Sequence, residues 1–424
     1  MRVWLAAVGE PLPIDRPGGE RPLRMGLIAR ELARRGHAVT WWTSTFDHAA
    51  KRQRFREDRD LQPSPGLRLV LLRSRGYRRN ICVGRLLDHR GLGLAFRRKT
   101  ACEPPPDAVL ASLPPLEMPW EACRYARRHR APFFVNVSDT WPDAFFKLVP
   151  PRALPVVRLL CRPFTRMARQ TCAGAAGILS ISRDYLAWGL GMAGRERRAA
   201  DGIFPLGYDP VGLSPGERAR LTDQWVGAGV DPGRFVCCFF GTFSPLRDVE
   251  TVIEAARVLE RAGERDFQFV LCGGGDSLGK CRIAAAGTAS VLLPGWVEAR
   301  DIAVLMGLSK AGLVPYSRRA TQSLPNKPFE YFSAGLPVLS SLGGELAELV
   351  EESRCGLPYE PGDVAGFLGA LRQLRDDEPG RRAMGERARG LFEERFSARV
   401  IYPALVEHLE RCVSEHTDCD GGVP

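Results

Sequence analysis

The stretch FVCCFFGTFSPLRDVETVIEAARVLERAG, Phe235–Gly263, decides the fold. Its first six residues are all apolar, so both faces of the strand they form must be covered, as in a parallel sheet. Gly241 ends the run, a loop carries Arg247, and an amphipathic helix runs from Asp248 to its stop at Gly263. Downstream, FQFVLCGGG, ASVLLPGWV, EARDIAVLMGLSK, AGLVPYS and GELAELVEESRCG continue the alternation of strand and helix. That order predicts a doubly wound α/β domain over 235–385.

Upstream, MRVWLAAVGE reads as a strand and LRMGLIARELARRG as an amphipathic helix stopped by Gly36, with the Gly/Pro-rich loop PLPIDRPGGERP between them. HAVTWWTS, DAVLAS (107–112), APFFVNVSD (131–139) and GAAGILSIS (174–182) read as further strands of one parallel sheet. Residues 51–60 and 73–99 are strongly basic and resist assignment. The predicted domains are 1–200, a connector at 201–234, the second α/β domain at 235–385, and a helical tail at 386–424.

A chain of 424 residues is too long for one ordinary core, which agrees with two domains. No run of about 18 apolar residues is present, so no membrane span is expected, and the N-terminal apolar run is too short for a signal peptide. The 12 cysteines show neither C-x-x-C nor zinc spacing, which points to a reducing, cytoplasmic environment. The net charge of +11 is uneven: residues 1–200 hold 36 Lys/Arg against 17 Asp/Glu, and the remainder holds 24 against 32. A basic first half suits a membrane surface, an acidic substrate or nucleic acid. No nucleic-acid motif accompanies the charge, so no nucleic-acid partner is expected.

Two loops carry candidate chemistry. The first, Gly241-Thr242-Phe-Ser-Pro-Leu-Arg247, follows a strand and opens a helix, where free N–H groups and Arg247 suit a phosphate. The second lies in SLPNKPFEYFSAGLPVLS, Ser323–Ser340, which also follows a strand. Both loops fall on the carboxyl edge of one sheet, where ligands bind in open α/β folds. Arg247 and Lys327 can there hold a diphosphate, and Glu330 can accept hydrogen bonds from a ribose. The plainer alternatives are solvated cations and a carboxylate complementing its helix dipole.

With these residues in view, nearly the whole chain resembles the retaining glycosyltransferases of the GT-B fold, the large group 4 type, most strongly over 235–360. The family loop Gly-Arg-Leu-x-x-x-Lys-Gly is matched by Gly241, with Thr242 at the arginine position and Arg247 at the lysine position. Of the family's two glutamates eight positions apart, the second is Glu330, followed by Gly335-Leu-Pro337-Val338, and the first falls on Gln322. Asn326-Lys327-Pro-Phe-Glu330-Tyr is similar to enzymes of bacterial surface-polysaccharide synthesis.

The resemblance implies two Rossmann-like domains facing a cleft, with a C-terminal helix, here IYPALVEHLERCV, crossing back to the first domain. It implies transfer of a sugar, with retention, from a nucleotide sugar of UDP or GDP type to an acceptor hydroxyl. A lipid-linked saccharide is the expected acceptor. Glu330 would bind the ribose, Gln322 the transferred sugar, and Arg247, Lys327 and amides near Gly241 and Asn326 the departing diphosphate.

No cofactor and no metal are expected. Asp58-Arg-Asp60 and Asp418-Cys-Asp420 spell Asp-x-Asp, but the first lies in a basic run and the second in a polar tail. In the first half, Gly18 and Gly19 let the backbone approach a phosphate or form a plain loop. Asp139 in SDTWPDAF is a candidate to orient the acceptor or act as base, or else a helix N-cap. His48 is a further candidate, or a structural histidine. RSRGYRRNICVGRLLDHRGLGLAFRRK suits peripheral contact with anionic lipid on the inner face of the plasma membrane. Two other activities stay open: epimerisation of a nucleotide sugar, and transfer to a soluble small-molecule acceptor.

Overall fold

The computed structural model describes residues 1–15, 22–80, 82–146 and 149–420. The chain forms two compact units: Met1–Leu206 together with the segment from Ile401, and Gly207–Val400.

The sheet of the first unit runs Gly202–Ile203, Gly177–Ser180, Phe133–Val137, Ala108–Leu113, Arg2–Ala6, Ala38–Ser44, Leu67–Leu72 and Arg59–Ser64. All pairs are parallel except the last, where Arg59–Ser64 pairs antiparallel with Leu67–Leu72. Sequence order therefore reverses at Arg2–Ala6, whose neighbours are Ala38–Ser44 on one side and Ala108–Leu113 on the other. This is the doubly wound order with its switch point beside the first strand. Trp4, Trp42 and Phe96 pack edge to face in its core, with ring centroids 5.1–6.4 Å apart.

The second unit repeats the plan with six parallel strands: Val291–Gly295, Phe267–Gly274, Phe235–Thr242, Ala311–Val314, Val338–Ser340 and Gly356–Pro358. Phe235–Phe240 are all buried, as an apolar run covered on both faces requires. The helix Val249–Arg261 buries Val249, Val252, Ile253, Ala256 and Leu259, the spacing of one helical face. Here the switch point lies between Phe235–Thr242 and Ala311–Val314, the strands that lead into the two loops singled out above.

Three boundaries differ from expectation. The segment 201–234 is not a plain connector. Gly202–Ile203 is the edge strand of the first sheet, and Pro215–Gly227 is a helix of the second unit, opened by a Ser214–Glu217 capping box. Only Leu221 and Trp225 of that helix are buried, so its apolar period is faint in the sequence. The tail divides later than 386. Glu378–Leu391 stays with the second unit, and the helix Ala398–Asp420 passes to the first at Ile401. There Glu410 receives Arg35 at 2.7 Å and His37 at 2.7 Å. The unassigned basic stretch holds the helix Val83–Thr100, whose buried face includes Asp88, His89 and Thr100 among its apolar residues. Among the described residues no helix is long and apolar enough to cross a membrane.

Candidate active site

At the switch point of the second unit the two loops are tied together by backbone. Asp248 N–H donates to Pro315 O and Ser317 N–H to Leu246 O, each at 3.1 Å. Arg247 and Tyr316 form an antiparallel bridge. Their side chains meet as well: the Arg247 guanidinium lies 3.6 Å from the centre of the Tyr316 ring. Burial pulls the Arg247 pKa down to about 10, so the group still carries its charge at neutral pH.

Lys327 opens the helix Lys327–Ser333 and reaches back over the first loop. Its stem lies directly on Gly241: a Cβ built there would fall 2.3 Å from Lys327 Cε. Gly241 has φ +156°, and Gly273 beside it has φ +141°. A Cβ on Gly273 would fall 1.8 Å from Gly241 O, so two glycines are what let strand ends and lysine close on one another. Lys327 Nζ is 5.5 Å from the centre of the Phe240 ring.

Glu330 follows on the same helix and is 5% exposed. Asn326 Nδ2 donates to its Oε1 at 3.4 Å. Tyr331 anchors the helix, its hydroxyl 3.2 Å from both Cys238 O and Leu313 O.

Four buried polar atoms of these loops have no partner: Arg247 Nη1, Tyr316 Oη, Gln322 Oε1 and Asn326 Oδ1. Buried polar groups are nearly always satisfied. An orphaned guanidinium nitrogen beside orphaned amide and hydroxyl oxygens matches a ligand with anionic oxygens and hydroxyls. Thr242 is exposed at the strand end and brings no charge where the family has arginine.

In the first unit, Asp139 is half-buried after the strand Phe133–Val137, and its Oδ1 accepts from Thr140 N–H at 2.8 Å. His48 Nδ1 lies 2.5 Å from Tyr77 Oη and 3.3 Å from Lys51 Nζ. Gly18 and Gly19 lie outside the described residues. The amides at the start of the following helix are engaged: Met25 N–H donates to Glu10 Oε2 at 2.9 Å, and burial pushes the Glu10 carboxyl up to about 7. Arg24, also buried, gives Nε to Asn136 Oδ1 at 2.8 Å and Nη1 to Phe204 O at 2.7 Å. Asp58 accepts from Arg73 N–H at 2.6 Å, and Asp60 is paired with Arg68.

Sequence reasoning missed Tyr316, Glu10, Arg24 and the partners of His48. Only Tyr316 carried a usable signal, as an aromatic residue two positions past a strand at the same edge.

Residues 234–377 match the family described as glycosyl transferases group 1. The second unit carries a group 1 glycosyltransferase domain. Among curated proteins, an amylovoran biosynthesis glycosyltransferase, AmsK of Erwinia amylovora, is 28% identical over 165 residues, 38% of this chain and 40% of that protein. A D-inositol 3-phosphate glycosyltransferase of Corynebacterium efficiens is 26% identical over 224 residues, 51% of this chain and 50% of that one. The chain thus spans about half the length of the curated relatives it matches.

Solved glycosyltransferase structures resemble it over nearly its full length. Sucrose-phosphate synthase from Thermosynechococcus elongatus has a TM-score of 0.69 at 17% identity, covering 98% of this chain and 99% of that one. WaaG, a glycosyltransferase involved in lipopolysaccharide biosynthesis, has 0.65 at 16%, covering 95% and 99%. Anabaena HepE, solved with UDP-glucose, has 0.63 at 16%, covering 97% and 100%. The fold of the chain is that of these structures, GT-B.

Proposed function

We propose that this chain transfers a sugar, with retention, from a nucleoside diphosphate sugar to an acceptor hydroxyl. The observation that carries the reading is the switch point of the second unit, where the backbone-tied loops of Arg247 and Lys327 leave four buried polar atoms unpartnered. Breaking the anomeric C–O bond puts negative charge on the β-phosphate of the leaving group. Cations and amides already in place stabilise that charge without reorganising. Arg247 and Lys327 take this role, Glu330 accepts the ribose hydroxyls, and Gln322 and Asn326 receive hydroxyls of the donor. In this reading the two cations do the work of a metal.

We further propose a lipid-linked saccharide as acceptor, reached by peripheral contact with an anionic membrane. Two surfaces of the first unit support this. A groove of about 940 Å³ is lined by Arg56, Arg73, Arg75, Arg90 and Arg98, alongside Leu87 and Leu94. None of these five arginines has a carboxylate partner among the described residues, unlike Arg68 nearby. The helix Leu154–Ala173 contains four arginines and no acidic residue, and it leaves Val156, Leu159 and Leu160 55–68% exposed. Arginine beside exposed aliphatics fits the headgroup region of an anionic bilayer. The AmsK and WaaG names, from amylovoran and lipopolysaccharide synthesis, agree with such an acceptor.

The test is a thermal-shift screen of UDP, GDP, ADP and dTDP on the wild type and on Arg247→Ala, Lys327→Ala and Glu330→Ala. We expect one or two nucleotides to stabilise the wild type and all three variants to lose most of the shift. Equal shifts in the variants would overturn the site. Incubating the donor alone and looking for an epimer by NMR tests the competing epimerase reading.

A further inference from the structure

The first unit has a cavity of its own at its switch point. It measures about 140 Å³, and its wall is drawn from the ends of neighbouring strands: Val8 and Gly9 after Arg2–Ala6, His48 beyond Ala38–Ser44, Tyr77 beyond Leu67–Leu72, and Pro114 after Ala108–Leu113. The helix Val83–Thr100 closes it with Arg85, Asp88 and His89. This is the position at which open α/β sheets take ligands.

The chemistry of the wall is cationic. Arg85 lies with its guanidinium carbon 4.6 Å from the Trp141 ring centre and 5.4 Å from that of Tyr77. Its Nη1 donates to Asn80 O at 2.9 Å, but its Nε is buried with no partner. Lys51, beside the cavity, donates to Asn80 Oδ1 at 2.6 Å. Among the described residues neither cation forms a salt bridge, although Asp47 acts on Lys51 and Glu117 on Arg85 from farther away. Asp88, the one acid of the wall, already accepts from the Ser74 hydroxyl at 2.6 Å and from Gly76 N–H at 2.7 Å.

His48 adds a donor. Lysine can only donate, so with Lys51 Nζ 3.3 Å from Nδ1 that nitrogen accepts, and the ring proton sits on Nε2. Burial, with Lys51 and Arg85 nearby, pulls His48 down to about 4 and His89 down to about 3, so both rings are neutral in ordinary buffer.

We propose that this cavity holds an anionic substituent of the acceptor, a phosphate monoester or a carboxylate on a sugar, with Arg85 as its anchor and Lys51 and His48 Nε2–H completing the grip. The word acceptor rests on the transfer reading above; the anion site itself rests on the wall. At about 30 Å³ per water, the space admits one such group and the carbon that bears it.

Calorimetric titration of the full chain with glucose, glucose 6-phosphate and glucuronate, without nucleotide, tests this. The expected result is a charged sugar bound at least about tenfold more tightly than glucose, with the two charged probes telling phosphate from carboxylate. Arg85→Met should remove about tenfold of that preference, the order of one charge-assisted hydrogen bond. Nucleotide stabilisation, measured in parallel, should stay as in wild type. If Arg85→Met fails to fold, Lys51→Met carries the comparison. Equal affinity for charged and neutral sugars, or an unchanged preference in the variants, overturns the proposal. A charged-sugar preference lost in Arg85→Met, in a protein that binds no nucleotide, would sink the transfer reading and leave the anion site standing.

Discussion

Gly241 and Lys327 occupy each other's space, and this gives the sharpest test among single residues. A methyl at 241 must push the lysine off the strand end, because it would sit 2.3 Å from Lys327 Cε. Gly241→Ala should therefore weaken nucleotide binding about as much as Lys327→Ala, and the double variant should be no worse than Lys327→Ala alone. Additive losses in isothermal titration would show that the glycine acts by some other route. Arg247→Lys keeps the charge but gives up the flat stack on Tyr316, so we expect about tenfold weaker nucleotide binding from that conservative change. The placement of Gly241, Gln322, Asn326, Lys327 and Glu330 along one edge was legible because local spacing fixes each relative to its strand. The Arg247–Tyr316 stack was not, since it joins residues far apart in the chain and only the sheet order makes them neighbours.

Helices show where periodicity informs and where it fails. Val249–Arg261 could be read directly, because its buried residues are apolar and regularly spaced. Val83–Thr100 could not: it buries an aspartate, a histidine and a threonine and exposes Val83 and Leu87, the reverse of an ordinary stripe. Of these, Asp88 and His89 line the cavities of the first unit, so their inward turn answers to a cavity wall rather than to the apolar core. Leu154–Ala173 exposes leucines without any such cavity. If it rests on a bilayer, the pair Leu159→Glu and Leu160→Glu should cut sedimentation with phosphatidylglycerol vesicles several-fold and leave the nucleotide-induced thermal shift intact. Unchanged sedimentation would remove this helix from the membrane contact.

For the whole molecule, pH dependence follows from groups buried in the first unit. Glu10 and Glu117 are pushed up to about 7 by burial, so the folded state holds their protons more tightly than the unfolded chain. Their contribution is fully present below about 4.5 and is lost as pH rises towards 7. His48 and His89 act in the opposite sense: their contribution is present above about 6.5 and is lost as pH falls towards 4 and 3. Between 4.5 and 6.5 the two trends offset each other. Glu10→Gln removes part of one, so its melting temperature should climb more steeply than that of the wild type from pH 4.5 to 6.5. Parallel calorimetric curves would count against the raised carboxyl. The doubly wound order of both sheets was legible from alternating strands and helices, but the exchange of chain between units at Ile401 was not, because a continuous helix carries no mark of where its packing partner changes.

That late return of the chain bears on how the protein is made. The surface of the first unit that receives Glu410, on Arg35 and His37, is synthesised early, yet its covering helix leaves the ribosome only after the entire second unit. The early half must therefore wait, partly uncovered, through the translation of nearly two hundred residues, a delay of roughly 10–40 s at elongation rates of about 5–20 residues per second. Nascent chains arrested before Ile401 should be bound by chaperones at this patch, and release past the last helix should free them.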